Sequence, residues 1–570
     1  MYYIFGVAIL FVIALLQLVP PFVIGKVVDA ITAESLTKEA LIKWIVILSV
    51  VAIVTYLGRY VWRVLIFGSD NKLQRTLRLR LFEHLTKMSP FFFQRYRTGD
   101  LMAHATNDIA AVQQVAGIGV LTLADSVLTG SSVILMMAIS IDWRLTIIAL
   151  LPMPIMVVGT SILGKKLHER FHSAQRSFSK LNDKTQESIS GIKVTRTFGQ
   201  EKEDILDFSK QTSNVVKKNV AVARVDAMFD PMISIIVSIS FVLAIGFGSK
   251  FVVEGTLTIG QVIAFVNYLF LLIWPMLAFG FLYNIIQRGS ASYDRITKLL
   301  QEKEDVVNHE NALSTTPSGA LCARIHQFTY PDEKEPVLQN VDFKINAGET
   351  LGIVGRTGAG KTTLLKLLLR EYDDYEGEIS FGGVKIQDYE TASLRSAIGY
   401  VPQDQFLFST TILDNIRFGV PEKTLEEVVA TAQTVAVHED IEGFPKGYQT
   451  IVGERGVSLS GGQKQRLAIA RALIMNPELL ILDDALSAVD AKTEERILEN
   501  LKTSRAEKTT IISAHRLSSV EHANLIIVVD KGQIVERGTH QELLVENGWY
   551  AEMYREQQLA EHLEGGGGRE

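Results

Sequence analysis

Residues 351–369 read LGIVGRTGAGKTTLLKLLL, and this stretch decides the second half of the chain. Leu351-Gly352-Ile353-Val354 makes a short strand. Gly355, Arg356, Thr357, Gly358, Ala359, Gly360, Lys361 and Thr362 follow, and a leucine-rich helix closes the unit. The pattern is G-x-x-x-x-G-K-[ST] in strand, loop, helix order. Glycines let successive backbone N–H groups curl around phosphates at a helix N-terminus, where the dipole favours negative charge. Lys361 is placed to reach the outer phosphates, Thr362 to offer its hydroxyl to a divalent cation, and Thr363 to complete the cradle.

A second phosphate-seeking helix start lies about 100 residues on. Leu459-Ser460-Gly461-Gly462-Gln463 precedes an apolar helix that stops at Pro477. Serine and glycines at a helix N-terminus leave N–H groups free for an anion. Then comes the apolar strand Leu479-Leu480-Ile481-Leu482, ending in two carboxylates, Asp483 and Asp484.

The first half reads differently. The chain has 570 residues and is 47% hydrophobic, and the apolar residues crowd into the part before about residue 290. Six runs there are long enough to cross a bilayer, which takes about 20 helical residues. They lie near 3–24, 41–61, 118–141, 145–163, 231–253 and 259–283. The first lacks a basic n-region and an A-x-A site, so it reads as a span and not a signal peptide. A net charge of −6 argues against nucleic acid as a partner. The single cysteine, Cys322, excludes an intrachain disulfide.

Loop charge sets an expected orientation. The segments after the second and fourth spans are rich in Lys and Arg, among them Lys72, Arg75, Arg78, Lys165, Lys166 and Arg170, and the opposite loops are short and poor in them. The basic segments are therefore expected in the cytoplasm, with both termini and the soluble half. Residues 164–197 keep Leu167, Phe171, Ala174, Phe178 and Leu181 at helical spacing, which predicts amphipathic stalks continuing the spans. The stalks are expected to turn near residues 91–100 and 194–201. Three adjacent phenylalanines, Phe91 to Phe93, beside Arg95 and Arg97 suit docking onto another domain. Arg59 and Arg63 either snorkel at the membrane surface or line a polar path. Asp226 and Asp230, before the fifth span, admit the same two readings. Phe270, Trp274, Met276, Phe279, Phe281 and Tyr283 on the last span either face lipid or wall a greasy cavity. Residues 298–319 are polar and read as a linker, and the glycine run 565–568 with Arg569 and Glu570 as a flexible tail.

Residues 459–463, lying between the two motifs, read LSGGQ, and here the chain resembles the ABC ATPases. With six spans, long stalks and one ATPase domain, the whole chain resembles an ABC half-exporter. The resemblance implies a six-helix transmembrane domain over residues 1–297 and an α/β P-loop ATPase domain over 320–560, with ATP and Mg²⁺ as cofactors. It matches Tyr330 to the aromatic that stacks on adenine and Gln403 to the Q-loop residue at Mg²⁺. It matches Thr362 and Asp483 to metal ligands, Ala488-Val489-Asp490 to the D-loop, and His515 to the switch histidine at the γ-phosphate. Val452-Gly453-Glu454-Arg455-Gly456 matches the segment that meets the stalk tips, and the two stalk turns match coupling helices. Family members carry an amphipathic segment before the first span. Met1 falls almost at the span here, and the reading leaves a clipped N-terminus open.

One position departs from the pattern. Where the family carries the glutamate that polarises the attacking water, this chain has Asp484. Aspartate is one methylene shorter, and a misplacement of about 1 Å can cost on the order of 100-fold in rate. Composite sites in ABC dimers pair one subunit's Walker motifs with the other's signature. The chain therefore resembles the degenerate-site half of a heterodimeric bacterial multidrug exporter. The implied partner is a second half-exporter with a Walker B glutamate, and the implied cargo a hydrophobic or amphiphilic small molecule or lipid, moved across the plasma membrane. Three alternatives stay open: a homodimer using Asp484 as base, a lipid or peptide flippase, and an ATP-gated regulatory protein that does not pump.

Overall fold

The computed structural model describes residues 1–453 and 457–566, with only the backbone described for residues 279, 280 and 560–566. Glu454, Arg455, Gly456 and the tail residues 567–570 lie outside the described residues, as does the side chain of Phe279. The chain divides into two compact units, Met1–Lys87 with Tyr96–Glu302, and Met88–Arg95 with Lys303–Glu570.

Among the described residues, six helical spans long and apolar enough to cross a membrane lie in the first unit: Tyr2–Thr32, Lys38–Leu85, Thr98–Ser140, Trp143–Ser190, Glu201–Val253 and Ile259–Leu300. Lys38–Leu85 has 48 residues. At about 1.5 Å per residue it is about 72 Å long, more than twice a hydrocarbon core of about 30 Å. The stalks expected from sequence are continuations of the same helices. The turns are short helices, Pro90–Arg95 and Ile192–Thr197.

The first span is not one helix. It runs Tyr2–Leu16 and restarts as Val19–Thr32. Pro20 and Pro21 have no N–H to continue the ladder, so the interruption falls just before them. The Tyr268 hydroxyl, from the sixth span, donates to the Leu18 carbonyl at 2.7 Å. Below the break, Leu10 and Ile13 pack with Trp62 and Ile66 of the second span. Above it, Asp29 accepts from the Gly260 N–H and the Thr258 hydroxyl, each at 2.8 Å. The backbones there nearly touch: a Cβ on Gly260 would stand 2.0 Å from the Gly25 carbonyl oxygen. Farther along, Asp108 of the third span accepts from Ser292 of the sixth at 2.8 Å and pairs with Arg295.

Among the described residues, the second unit holds two sheets. The antiparallel sheet has the order β2-β1-β4-β5, with β1 Leu321–Phe328, β2 Leu338–Ile345, β4 Glu376–Phe381 and β5 Val384–Lys385. The larger sheet has the order β10-β9-β3-β8-β7-β6. Its strands are β3 Thr350–Val354, β6 Ile398–Val401, β7 Leu479–Asp483, β8 Thr509–Ser513, β9 Leu525–Asp530 and β10 Gln533–Gly538. All pairs in it are parallel except β9 with β10. Strands β3, β7 and β8 are almost wholly buried, and β3 and β7 are mostly apolar, as parallel strands covered on both faces tend to be.

The segment read as a linker is ordered. Lys298 to Leu300 complete the last helix of the first unit. Beyond it, Arg370 donates to the Val307 carbonyl, Thr391 donates to Asn308, and Leu313 bridges to Tyr389. The short helix Pro90–Arg95 belongs to the same unit: Phe92 is buried and the Phe91 ring meets Tyr372 at 6.3 Å.

Candidate functional site, an ATPase centre at the strand ends

Parallel strands deliver their carboxyl ends to one edge, the usual place for a ligand in an open α/β sheet. Here that edge collects residues from four strands. Gly355 follows β3, and Gln403 stands two residues after β6. Asp483 ends β7 opposite Ser513, the last residue of β8, and His515 comes two residues later. Gln403 and His515 are exposed at this edge and Asp483 is buried.

The loop after β3 is built for close approach. Gly355 and Gly360 have φ of 150° and 105°, and a Cβ on Gly355 would stand 2.1 Å from the Val529 carbonyl oxygen. A side chain at either position is therefore excluded. Arg356, Thr357 and Gly358 form the exposed crest, Ala359 and Gly360 are buried, and Lys361 starts the helix Lys361–Leu368. Lys361 is 7% exposed, and its Nζ donates to the Gly355 and Arg356 carbonyls at 2.7 and 3.1 Å. Burial pushes its ammonium below the usual lysine range, against the pull of Asp483 and Asp484. Tyr330 is held by a 2.9 Å hydrogen bond between its hydroxyl and that of buried Thr363, with Lys366 Nζ 6.0 Å from its ring centre.

Asp483 is 2% exposed, and its Oδ2 is buried without a hydrogen-bond partner among the described residues. Burial raises its carboxyl pKa, and the Asp484 charge adds to the rise. The neighbouring Ser513 and Thr362 hydroxyls and Lys361 pull it back. An orphaned buried carboxylate oxygen is costly unless something charged meets it. The hard oxygen set of Asp483 and Thr362 fits Mg²⁺, which takes few protein ligands and shares the rest with phosphate and water. When bound, the ion offsets the charge on the phosphate oxygens. Asp484 is half-buried beside it.

The second helix start is well formed. Ser460 caps the helix Gly461–Leu473 in a reciprocal box: its hydroxyl accepts from the Gln463 N–H, and the Gln463 side chain accepts from the Ser460 N–H. Ser460 and Gly461 are exposed, so the free N–H groups of this helix end face outward; Gly462 is half-buried. Gln465 on the same helix donates to Ser487 and accepts from the Ala488 N–H, tying the segment after β7 to it. Sequence reasoning passed over Gln465 and also Gln557, whose side chain bonds on both sides of Arg516. No local pattern marks either one.

Comparison with known proteins matches residues 3–276 to the ABC transporter transmembrane region and residues 338–487 to the ABC transporter family. "Multidrug resistance-like ATP-binding protein MdlA" of Escherichia coli (strain K12) is 49% identical over 562 residues, which cover 99% of this chain and 95% of that protein. The chain belongs to the ABC transporter family. A second relative, "Probable multidrug resistance ABC transporter ATP-binding/permease protein YheI" of Bacillus subtilis (strain 168), is 44% identical over 99% of this chain and 97% of its own length. The solved "Structure of a bacterial Atm1-family ABC exporter with ATP bound" superposes with a TM-score of 0.81 at 28% identity, covering 98% of this chain and 99% of that one. The protein is thus an ABC half-transporter. It is a multi-pass membrane protein whose ABC ATPase domain binds ATP, and in this family hydrolysis is coupled to transport.

Proposed function

We propose that the chain is the slow-site subunit of a heterodimeric, ATP-driven exporter of amphiphilic drugs or lipids, embedded in the plasma membrane with its ATPase domain in the cytoplasm. In this reading residues 355–363 and Tyr330 hold the nucleotide, and Thr362, Gln403 and Asp483 face Mg²⁺. Asp484 and His515 attend the γ-phosphate. Ser460, Gly461, Gly462 and Gln463 complete the partner's site.

The observation that carries the reading is the pairing of a shortened carboxylate with an intact signature. Asp484 follows the buried Asp483 where a base must reach an attacking water, and it is one methylene short of that task. The Ser460 box, by contrast, keeps its helix end formed and exposed. The two turn helices support an assembly with a second subunit. Pro90–Arg95 is packed within the ATPase unit of its own chain. Phe198, at the end of Ile192–Thr197, is 72% exposed, and Val194 is 61% exposed. Apolar tips of that size are costly in water and suit another protein surface. The multidrug relatives support the cargo class.

ATPase activity of the purified chain alone, compared with the chain plus its partner half-transporter, tests the proposal. Low turnover alone and a rise of at least tenfold with the partner is the expected result. Full turnover by the lone chain rejects the heterodimer in favour of a homodimer working through Asp484. ATP-dependent uphill accumulation of a lipophilic dye in inverted vesicles separates a pump from a gate.

A further inference from the structure

The loop that carries His515 is held at both ends by one side chain from the C-terminal helix Trp549–Gly566. Gln557 Nε2 donates to the His515 carbonyl at 2.9 Å, and Gln557 Oε1 accepts from the Leu517 N–H at 2.9 Å. A neutral amide offers a donor and an acceptor on one rigid plane, so it grips the backbone on either side of Arg516. Arg516 in turn donates to the Val489 carbonyl at 3.2 Å and pairs with buried Glu494 at 3.4 Å. Ser519 donates to the other oxygen of Glu494. The switch loop is thereby tied to the D-loop on one side and to the C-terminal helix on the other.

The helix that brings Gln557 is itself fixed. Glu536 of β10 accepts from the N–H groups of Trp549 and Tyr550. Tyr550 is fully buried, and its hydroxyl meets His540 Nδ1 at 2.8 Å. Two turns later the same helix presents Gln557, half-buried, to the loop.

We infer that Gln557 is a positioning residue for His515, setting how the switch loop meets the terminal phosphate and so how well the site tells ATP from ADP. This rests on the reading of His515 as the γ-phosphate contact. A side chain that only stabilised the domain would affect both nucleotides alike. One that aims His515 affects only the nucleotide carrying a γ-phosphate.

Gln557→Glu tests it, because the carboxylate keeps the acceptor for Leu517 and replaces the donor with a charge that repels the His515 carbonyl. ATP and ADP affinities are measured on the full-length protein in nanodiscs, with Mg²⁺, by displacement of a fluorescent nucleotide. His515→Ala serves as the reference. The expected result is a loss of ATP affinity of about tenfold in both variants, the size of one hydrogen bond to a charged group, with ADP affinity unchanged. An unchanged ATP-to-ADP ratio in Gln557→Glu alongside a lowered ratio in His515→Ala overturns the proposal while leaving the site reading intact. Equal loss for both nucleotides in Gln557→Glu also overturns it, in favour of a general structural role. No change of ratio in His515→Ala removes the site reading, and the proposal with it.

Discussion

The backbone N–H of Asp484 donates to the Ser513 carbonyl at 2.8 Å, with Asp484 in the left-handed region at φ 48°. The residue is pinned to the end of β8 before its side chain is considered. Its reach is then set by side-chain length alone. Aspartate tolerates that backbone region better than most residues do.

Asp484→Glu is therefore expected to raise hydrolysis at this site by roughly 10- to 100-fold. The measurement is ATPase of the proposed heterodimer with the catalytic base of the other half-transporter disabled. A small fall in melting temperature should accompany it, since a longer side chain is less at ease at positive φ. No rise in turnover would count against the proposed role of Asp484.

Ser460→Ala separates the two roles proposed for the chain. It removes the cap, worth about 1 kcal/mol of local helix stability. Hydrolysis at the partner's site should fall at least tenfold, while nucleotide binding at Lys361 stays within twofold of wild type. Equal loss in both would contradict the composite arrangement.

Lys361→Met tests the cradle. The ammonium ties down the Gly355 and Arg356 carbonyls and is the one cation buried in that loop among the described residues. ATP affinity should drop by at least tenfold, the worth of about one charge-assisted hydrogen bond. Thermal unfolding should change by only a few degrees. Retained affinity in the variant would argue against phosphate binding here.

Phe91→Ala probes the first turn. The ring sits against Tyr372, which is 5% exposed and lies 5.4 Å from Tyr330. Losing it should weaken the attachment of Pro90–Arg95 by about 1–2 kcal/mol, since the ring is only half-buried. Drug-stimulated ATPase should fall toward the basal rate, and basal ATPase should persist. Undiminished stimulation would show that this contact does not transmit.

Gly260→Ala probes the first unit. A Cβ there would collide with the Gly25 carbonyl and with Asp29. Poor yield of monodisperse protein is expected. Asp29→Asn, which keeps an acceptor, should be tolerated with a modest loss of heat stability. Normal behaviour of Gly260→Ala on size-exclusion chromatography would refute the close approach.

Local features were legible in the sequence. The phosphate loop, the Ser460 box, the apolar strand before Asp483 and the six spans each declare themselves within about 20 residues. The break before Pro20 and Pro21 was equally local, yet a long apolar run hid it, because hydropathy averages over prolines. Contacts between distant segments left no such trace. Asp29 with Gly260, Tyr268 with Leu18, Asp108 with Arg295 and Gln557 with His515 join residues whose types are ordinary at their own positions. Their meaning arises only when folding brings the partners together. Polar composition reads as a linker over residues 298–319 whether or not Arg370 and Thr391 wait to bind it, so their bonds to Val307 and Asn308 had no trace in the sequence.

The interrupted first span has a mechanical consequence. Its lower half is packed on the second span through Leu10, Ile13, Trp62 and Ile66. The break is tied to the sixth span at Leu18, and the upper half at Asp29. One strand of chain thus has two different masters. Any mismatch in movement between the second and sixth spans would fall on Gln17 and Leu18, the two residues between the regular helices Tyr2–Leu16 and Val19–Thr32. The first span is thus built like a knee, with its joint at Gln17 and Leu18 between a half packed on the second span and a half hydrogen-bonded to the sixth.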